Sequence, residues 1–385
     1  MKISPSFFST LVACFLVFGL SKAGAWDQEL QTGYVFDFWN SNFIYHGSES
    51  RLPLSYRLSN EKWSFQLSTA FVLGDYQADA TPSSDVSKFS GQDLSDLSLR
   101  ASVVLPTGGD VKSSFSGGLN IPTGDDQWEA KAGDGAVPYN FDPSYYHGRG
   151  WDFNVFYTLN SLGQGTQWGV GFGFLQASSY LNSGEAPAPW GALVGMGTLG
   201  FPAGADELFA LRGVYSRPLA ANAPHVSGAF TLSPTVEASG QWVKKLGRDR
   251  LQLTVSYDLF GQSTFPDMSS GINSPTSETF LGDRLRVRPF LAWVFAPGVA
   301  MESGLEWKHI LSNGYATDDQ AYNGGGDLLG ALQSATFQVD PATFFNLAGS
   351  YQYVLAKDYA KDTGGQLTNV TFNQFTFGAN VGFKW

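Results

Sequence analysis

From Thr32 to the last residue, apolar side chains recur at every second position over long stretches, the spacing of β-strands and not of helices. Leu52, Leu54, Tyr56 and Leu58 share one face. After a break at Ser59-Asn60-Glu61, so do Trp63, Phe65, Leu67, Thr69, Phe71 and Leu73. The pattern predicts about sixteen strands, with fourteen or eighteen left open by a weak first strand and a long tenth one. Connections after even-numbered strands are tight and rich in Gly and Pro, as at Pro106-Thr107-Gly108-Gly109, Ala203-Gly204-Ala205, Ala296-Pro297-Gly298 and Asp340-Pro341. Those after odd-numbered strands are longer, polar and acidic, notably 76–94, 124–150, 264–282, 313–327 and 357–369.

Short turns at one end, long loops at the other and an even strand number predict an all-β fold, a transmembrane antiparallel up-and-down β-barrel. Closure is required because an open sheet edge in lipid would leave backbone groups without partners. The faces fit: Leu97, Leu99, Ala101, Val103 and Leu105 point outward, while Ser98, Arg100 and Ser102 alternate with them. Trp63, Trp168, Trp242 and Trp385 fall at the short-turn end, and Trp151 and Trp190 at the long-loop end, as two interfacial belts.

Composition excludes other classes. Charged residues make up 15% of the 385 residues, well below the roughly 25% of soluble globular chains. Beyond residue 25 no window approaches the roughly 20 apolar residues of a membrane-spanning helix. The net charge of −11 and the lack of any Lys/Arg cluster argue against a nucleic-acid partner. Residues 1–25 read as a secretory signal: Lys2, an apolar run from Phe7 to Leu20, and the small-x-small site Ala23-Gly24-Ala25. Removing Lys2 and Lys22, with no acid in that segment, takes the charge from −11 to −13. Leu11-Val12-Ala13-Cys14 is a weaker match to a lipoprotein signal. Residues 26–385 are then the barrel, without a cysteine.

The chain ends with outward Phe377, Ala379, Val381, Phe383 and Trp385. This resembles the carboxy-terminal signal read by the barrel-assembly machinery, which implies Phe383 and Trp385 as its contacts and a bacterial outer membrane as the location. A second likeness lies in residues 91–124: Gly91-Gln92-Asp93-Leu94, Asp96-Leu97-Ser98-Leu99, Leu105-Pro106-Thr107-Gly108 and Leu119-Asn120-Ile121-Pro122-Thr123-Gly124-Asp125. These motifs resemble the meta-pathway phenol-degradation family, outer-membrane barrels related to long-chain fatty-acid transporters. The resemblance implies passage of small, often aromatic or hydrophobic compounds. The transporters' Asn-Pro-Ala hatch is absent, so fatty-acid uptake by that route is not expected. Read physically, Pro122-Thr123-Gly124 needs no ligand: proline ends ladder donation and glycine lets the loop depart.

Chemistry is sparse. His46, His147, His225 and His309 are scattered, and no spacing sets two on one metal site. His46 with Ser48 lacks an orienting third group, and the acids of 125–134 miss the EF-hand pattern. No catalytic residue, metal or cofactor is therefore expected. The reading is an outer-membrane channel for passive uptake of small-molecule solutes. Two alternatives stay open: a barrel sheath around a partner's electron-transfer cytochrome, this chain having no Cys-x-x-Cys-His, and an outer-membrane enzyme. The sequence leaves open whether the barrel is a monomer or a homo-oligomer.

Alternation assigns the lumen. Arg284, Arg286 and Arg288 form an inner ladder, with Glu302, Glu306, Arg57, Arg100 and Arg212 also pore-lining. If Ala296-Pro297-Gly298 is a three-residue turn, Phe295 pairs with Val299 and Arg288 lies opposite Glu306. The 27-residue loop 124–150 carries Trp128, Tyr139, Phe141, Tyr145 and Tyr146 among the acids Asp125, Asp126, Glu129 and Asp134, too much apolar area for a freely solvated segment, and is expected to narrow the lumen, the alternative being an external flap packed on neighbouring loops. Deleting 127–147 should raise single-channel conductance; unchanged conductance in a folded deletion would refute that role.

Overall fold

The computed structural model describes residues 26–41, 45–78, 87–105, 107–121, 123, 152–161, 163, 165–177, 190–219, 233–261, 263–266, 275–278, 282–312, 324–361 and 367–385. Residues 1–25 and loop 124–150, with the signal and constriction expectations placed there, lie outside these. The strands are β1 (Asp27–Ser41), β2 (Tyr45–Ser59), β3 (Trp63–Ala78), β4 (Ser87–Leu94), β5 (Leu97–Leu105), β6 (Val111–Ile121), β7 (Asp152–Ser161), β8 (Gln167–Ala177), β9 (Trp190–Pro202), β10 (Glu207–Pro218), β11 (Thr235–Leu246), β12 (Asp249–Phe260), β13 (Ser263–Pro266), β14 (Pro275–Glu278), β15 (Arg284–Ala296), β16 (Val299–Ile310), β17 (Gly326–Gln338), β18 (Thr343–Lys361) and β19 (Leu367–Lys384).

Each wall strand pairs antiparallel with its neighbours in chain order, and β1 pairs with β19 from Glu29–Lys384 to Ser41–Phe372, which closes the sheet. β4 and β5 pair in succession with β3 and act as one interrupted strand, so the wall is sixteen strands round. Closure leaves the wall without an open edge, as a lipid-spanning sheet requires. Its outer surface is apolar: Phe65, Phe115, Phe172, Leu211, Val255, Leu305 and Phe375 are all exposed. Trp63 and Trp168 start rising strands, and Trp385 closes the last strand with its indole N–H donated to Gln28 at 3.1 Å. The described structure does not extend to the side chains of Trp151 and Trp190.

Several long connections are shorter than their sequence suggests. The segment 76–94 contains the end of β3 and all of β4, 264–282 contains the β13–β14 hairpin, and 357–369 contains the ends of β18 and β19. In 313–327, β17 already begins at Gly326. Polar residues continue the ladder there because the backbone, not the side chain, supplies its hydrogen bonds. At the short-turn end, Asp340 accepts the backbone N–H of Ala342 at 2.7 Å and of Thr343 at 2.8 Å. These donors hold its carboxyl below the ordinary range. The turn's stabilisation by this carboxylate is thus present above the unfolded-state value and lost as pH falls through the lower folded one.

Candidate functional site

The arginine ladder runs along β15, on the face opposite Leu285, Val287, Pro289 and Leu291. On β12, Asp258, Ser256 and Thr254 pair with Arg284, Arg286 and Arg288, and on β16, Ile310 and Lys308 pair with Arg284 and Arg286. The β15–β16 register runs from Val287–Trp307 to Phe290–Gly304, which sets Arg288 opposite Glu306. The route to that register differs from the expectation. Ala296, not Phe295, pairs with Val299 across a two-residue Pro297-Gly298 turn, with Gly298 at φ +78°. Phe295 is the extra residue of a bulge and is 72% exposed. One residue added to the strand does what one added to the turn would have done, so the ladder is unchanged.

Glu306 ties two rungs together: its carboxylate lies 3.1 Å from Arg286 Nε and 3.8 Å from Arg288 Nε. Glu302 instead accepts from the Ser334 hydroxyl at 3.3 Å. Arg284 lies over the ring of Phe260, 4.8 Å from its centre, a cation–π contact. Arg288 remains 52% exposed. Beside it opens a recess of about 440 Å³, bordered by the cations Arg288 and Arg250, the carboxylate of Glu306, and Gln252, Thr254 and Gln352, and floored by Phe290 and Leu332. Gly304 makes room for it, since a Cβ there would sit 3.1 Å from the Phe290 ring. Arg250, paired across to Lys245, continues the basic wall toward the short-turn end. Neither cation was singled out by the sequence reading, although the alternation of β11 and β12 points both inward. Glu306→Gln should move the reversal potential in a salt gradient toward anions, because it removes the one carboxylate paired with Arg286 and Arg288 among the described residues; an unchanged value would mean Glu306 does not face the permeating ions.

The other predicted wall residues lie elsewhere on the ring. Arg57 and Arg100 both pair with Gln66, and Arg212 pairs with Thr198 and Ser239. Asp125, Asp126, Trp128, Glu129, Asp134, Tyr145 and Tyr146 lie outside the described residues. Of the most deeply buried charges, alternation points Asp37 inward, whereas its partners Glu49 and Arg51 were not singled out from the sequence. Asp37 and Glu49 are a direct cross-strand pair, each with a fully buried side chain, and Arg51 is in ion-pair contact with both, 3.2 Å from Glu49. Asp37 also accepts from the Thr376 hydroxyl at 2.5 Å. The inward parity of Arg51 was readable from Leu52, Leu54 and Tyr56, whereas Glu49 lay before the expected start of its strand.

The motif segment acts as a clasp. Buried Asp96 accepts from the Asn120 amide at 2.7 Å and the Thr123 N–H at 3.2 Å. The Ser95 carbonyl accepts from the hydroxyls of Thr123 and Thr69 at 2.9 and 3.1 Å. These bonds pin the outer end of the β5–β6 hairpin to β3. A polar inner wall also fails at the long-loop end, where Trp39, Ile310, Leu328, Val354, Val370 and Phe372 form a buried apolar cluster on β1 and β16–β19. There both faces of the strands are apolar, as at Leu328-Leu329 and Val354-Leu355, so alternation loses its signal. Among the described residues no group of three or more His, Cys, Asp or Glu is placed to hold a metal.

The closed wall, its apolar outer face and its polar inner ladder define a transmembrane β-barrel with outer-membrane architecture. No protein-family model and no curated protein matches the chain. Solved structures with a similar course include Pseudomonas aeruginosa OccK7 (OpdD), at 10% identity over 95% of this chain and 100% of that one, with a TM-score of 0.49. Pseudomonas aeruginosa OpdK is similar at 10% identity over 94% and 99%, TM-score 0.46. Vibrio cholerae OmpT is similar at 10% identity over 94% and 99%, TM-score 0.41.

Proposed function

We propose that this chain is a passive channel of the bacterial outer membrane for small solutes, with a weak preference for anions that carry an apolar or aromatic body. The observation that carries the reading is the lumen recess, where the half-exposed guanidinium of Arg288 stands over the apolar floor of Phe290 and Leu332. A guanidinium donates to carboxylate or phenolate oxygens in a fixed fork geometry, while the ring or chain of the solute rests on the floor. The stacked cations Arg284, Arg286 and Arg288, followed by Arg250, offer successive weak sites down one wall, so a solute can enter and leave. The motif likeness to the phenol-degradation family agrees with an aromatic body, and the buried clasp at Asp96 assigns those motifs a structural task. Among the described residues no comparable feature favours a cytochrome sheath or an enzyme.

Solute flux into liposomes containing the refolded chain tests this. Benzoate should enter faster than benzyl alcohol, and benzyl alcohol faster than benzylamine. Equal rates for the three would remove the selectivity, and no protein-dependent flux would remove the channel.

A further inference from the structure

Ser303 and Gln333 pair across β16 and β17 on the outward face, in a row that continues through Gly349 to Phe377. Ser303 lies one outward step from Met301, which pairs with Trp293, and two from Trp307, so the row sits between aromatic side chains of the lipid-facing surface. The serine hydroxyl donates to the Gln333 carbonyl. Beyond that bond the Gln333 side chain has no hydrogen-bond partner among the described residues, and its amide group carries two donors. Hydrocarbon offers them no acceptor, and an unmet polar group there costs several kcal/mol.

We propose that the outward face of β16–β19 is a contact surface for a second copy of this chain, met about Gln333. This goes beyond the channel reading and does not depend on which solute crosses. A carboxamide carries donor and acceptor together, so it is complementary to its own copy across a two-fold axis along the membrane normal. The surface around it is a trough of about 730 Å³, its base thinned at Ser303, Ala331 and Gly349 and its sides formed by Leu305, Tyr351 and Phe375. At the outer boundary of the same face the charges are also self-complementary. Asp327 accepts from His309 or pairs with it at 2.8 Å and lies 3.3 Å from Lys357, so acid and base of one copy face base and acid of the other. The opposite lipid-facing hollow, over Ala101 and Gly117, is lined by apolar rings and aliphatic chains, which acyl chains satisfy.

The only cysteine is Cys14, so engineered thiols report contacts cleanly in a Cys14→Ser background. Ala331→Cys should give a disulfide-linked dimer on mild oxidation of intact outer membranes, and Ala101→Cys should not. Adding Gln333→Leu to Ala331→Cys should reduce cross-linking to the Ala101→Cys level, with heat-modifiable gel mobility confirming that the barrel is folded. Absence of the Ala331→Cys dimer, equal cross-linking at Ala101→Cys, or cross-linking that persists with Gln333→Leu would each overturn the proposal.

Discussion

Replacing Arg284, Arg286 and Arg288 together with Gln is expected to shift the reversal potential in a salt gradient toward cations and to lower the anion-to-cation permeability ratio by about twofold or more, conductance being retained. Glu306 neutralises part of the ladder and Asp258 stands opposite Arg284, but Lys308 beside Arg286, and Arg250 with Lys245 nearer the short turns, leave this stretch of wall richer in cations than in acids. Charges in a lumen with low-dielectric walls are screened less than those on an open surface, so the shift should persist at salt concentrations that abolish surface effects. A variant with wild-type selectivity and conductance would show that these arginines do not line the narrow part of the pore.

The second large effect is on stability. Arg51→Met should destabilise the folded barrel by about 3–5 kcal/mol, because it strips the cation from two carboxylates that are fully buried and directly opposed. Combining it with Asp37→Asn and Glu49→Gln should recover most of the loss, since neutral amides carry no repulsion and retain hydrogen-bonding groups. Urea titration followed by heat-modifiable mobility reads both values. A cost below about 1 kcal/mol for Arg51→Met would mean that solvent or other groups already compensate the pair.

That cluster also marks where the sequence stopped being informative. Strict alternation located the wall strands because one face meets lipid and the other does not, and a one-residue slip would reverse every side chain. It therefore placed Arg284, Arg286, Arg288 and Glu306 on the inner face. Where strands rise beyond the apolar girdle, both faces meet polar surroundings, as at the start of β2 around Gly47, Ser48 and Ser50. There the pattern fades although the ladder persists, and Glu49 was lost with it. At the far end of β16–β19 the opposite holds: Leu328, Val354 and Phe372 make the inner face as apolar as the outer, so pattern alone could not report a buried cluster. The interrupted β4–β5 strand was hidden for a third reason. Ser95 and Asp96 are used to clasp Thr123 and Asn120, a long-range pairing that no local spacing encodes.

An open lumen with a net basic wall conducts ions and passes anions ahead of cations. Single-channel recording of the purified, refolded wild-type chain in a planar bilayer, in a potassium chloride gradient, tests it most directly. Discrete, stable steps with a reversal potential on the anion side are predicted; a folded barrel that inserts yet yields no steps, or steps that reverse on the cation side, would contradict it.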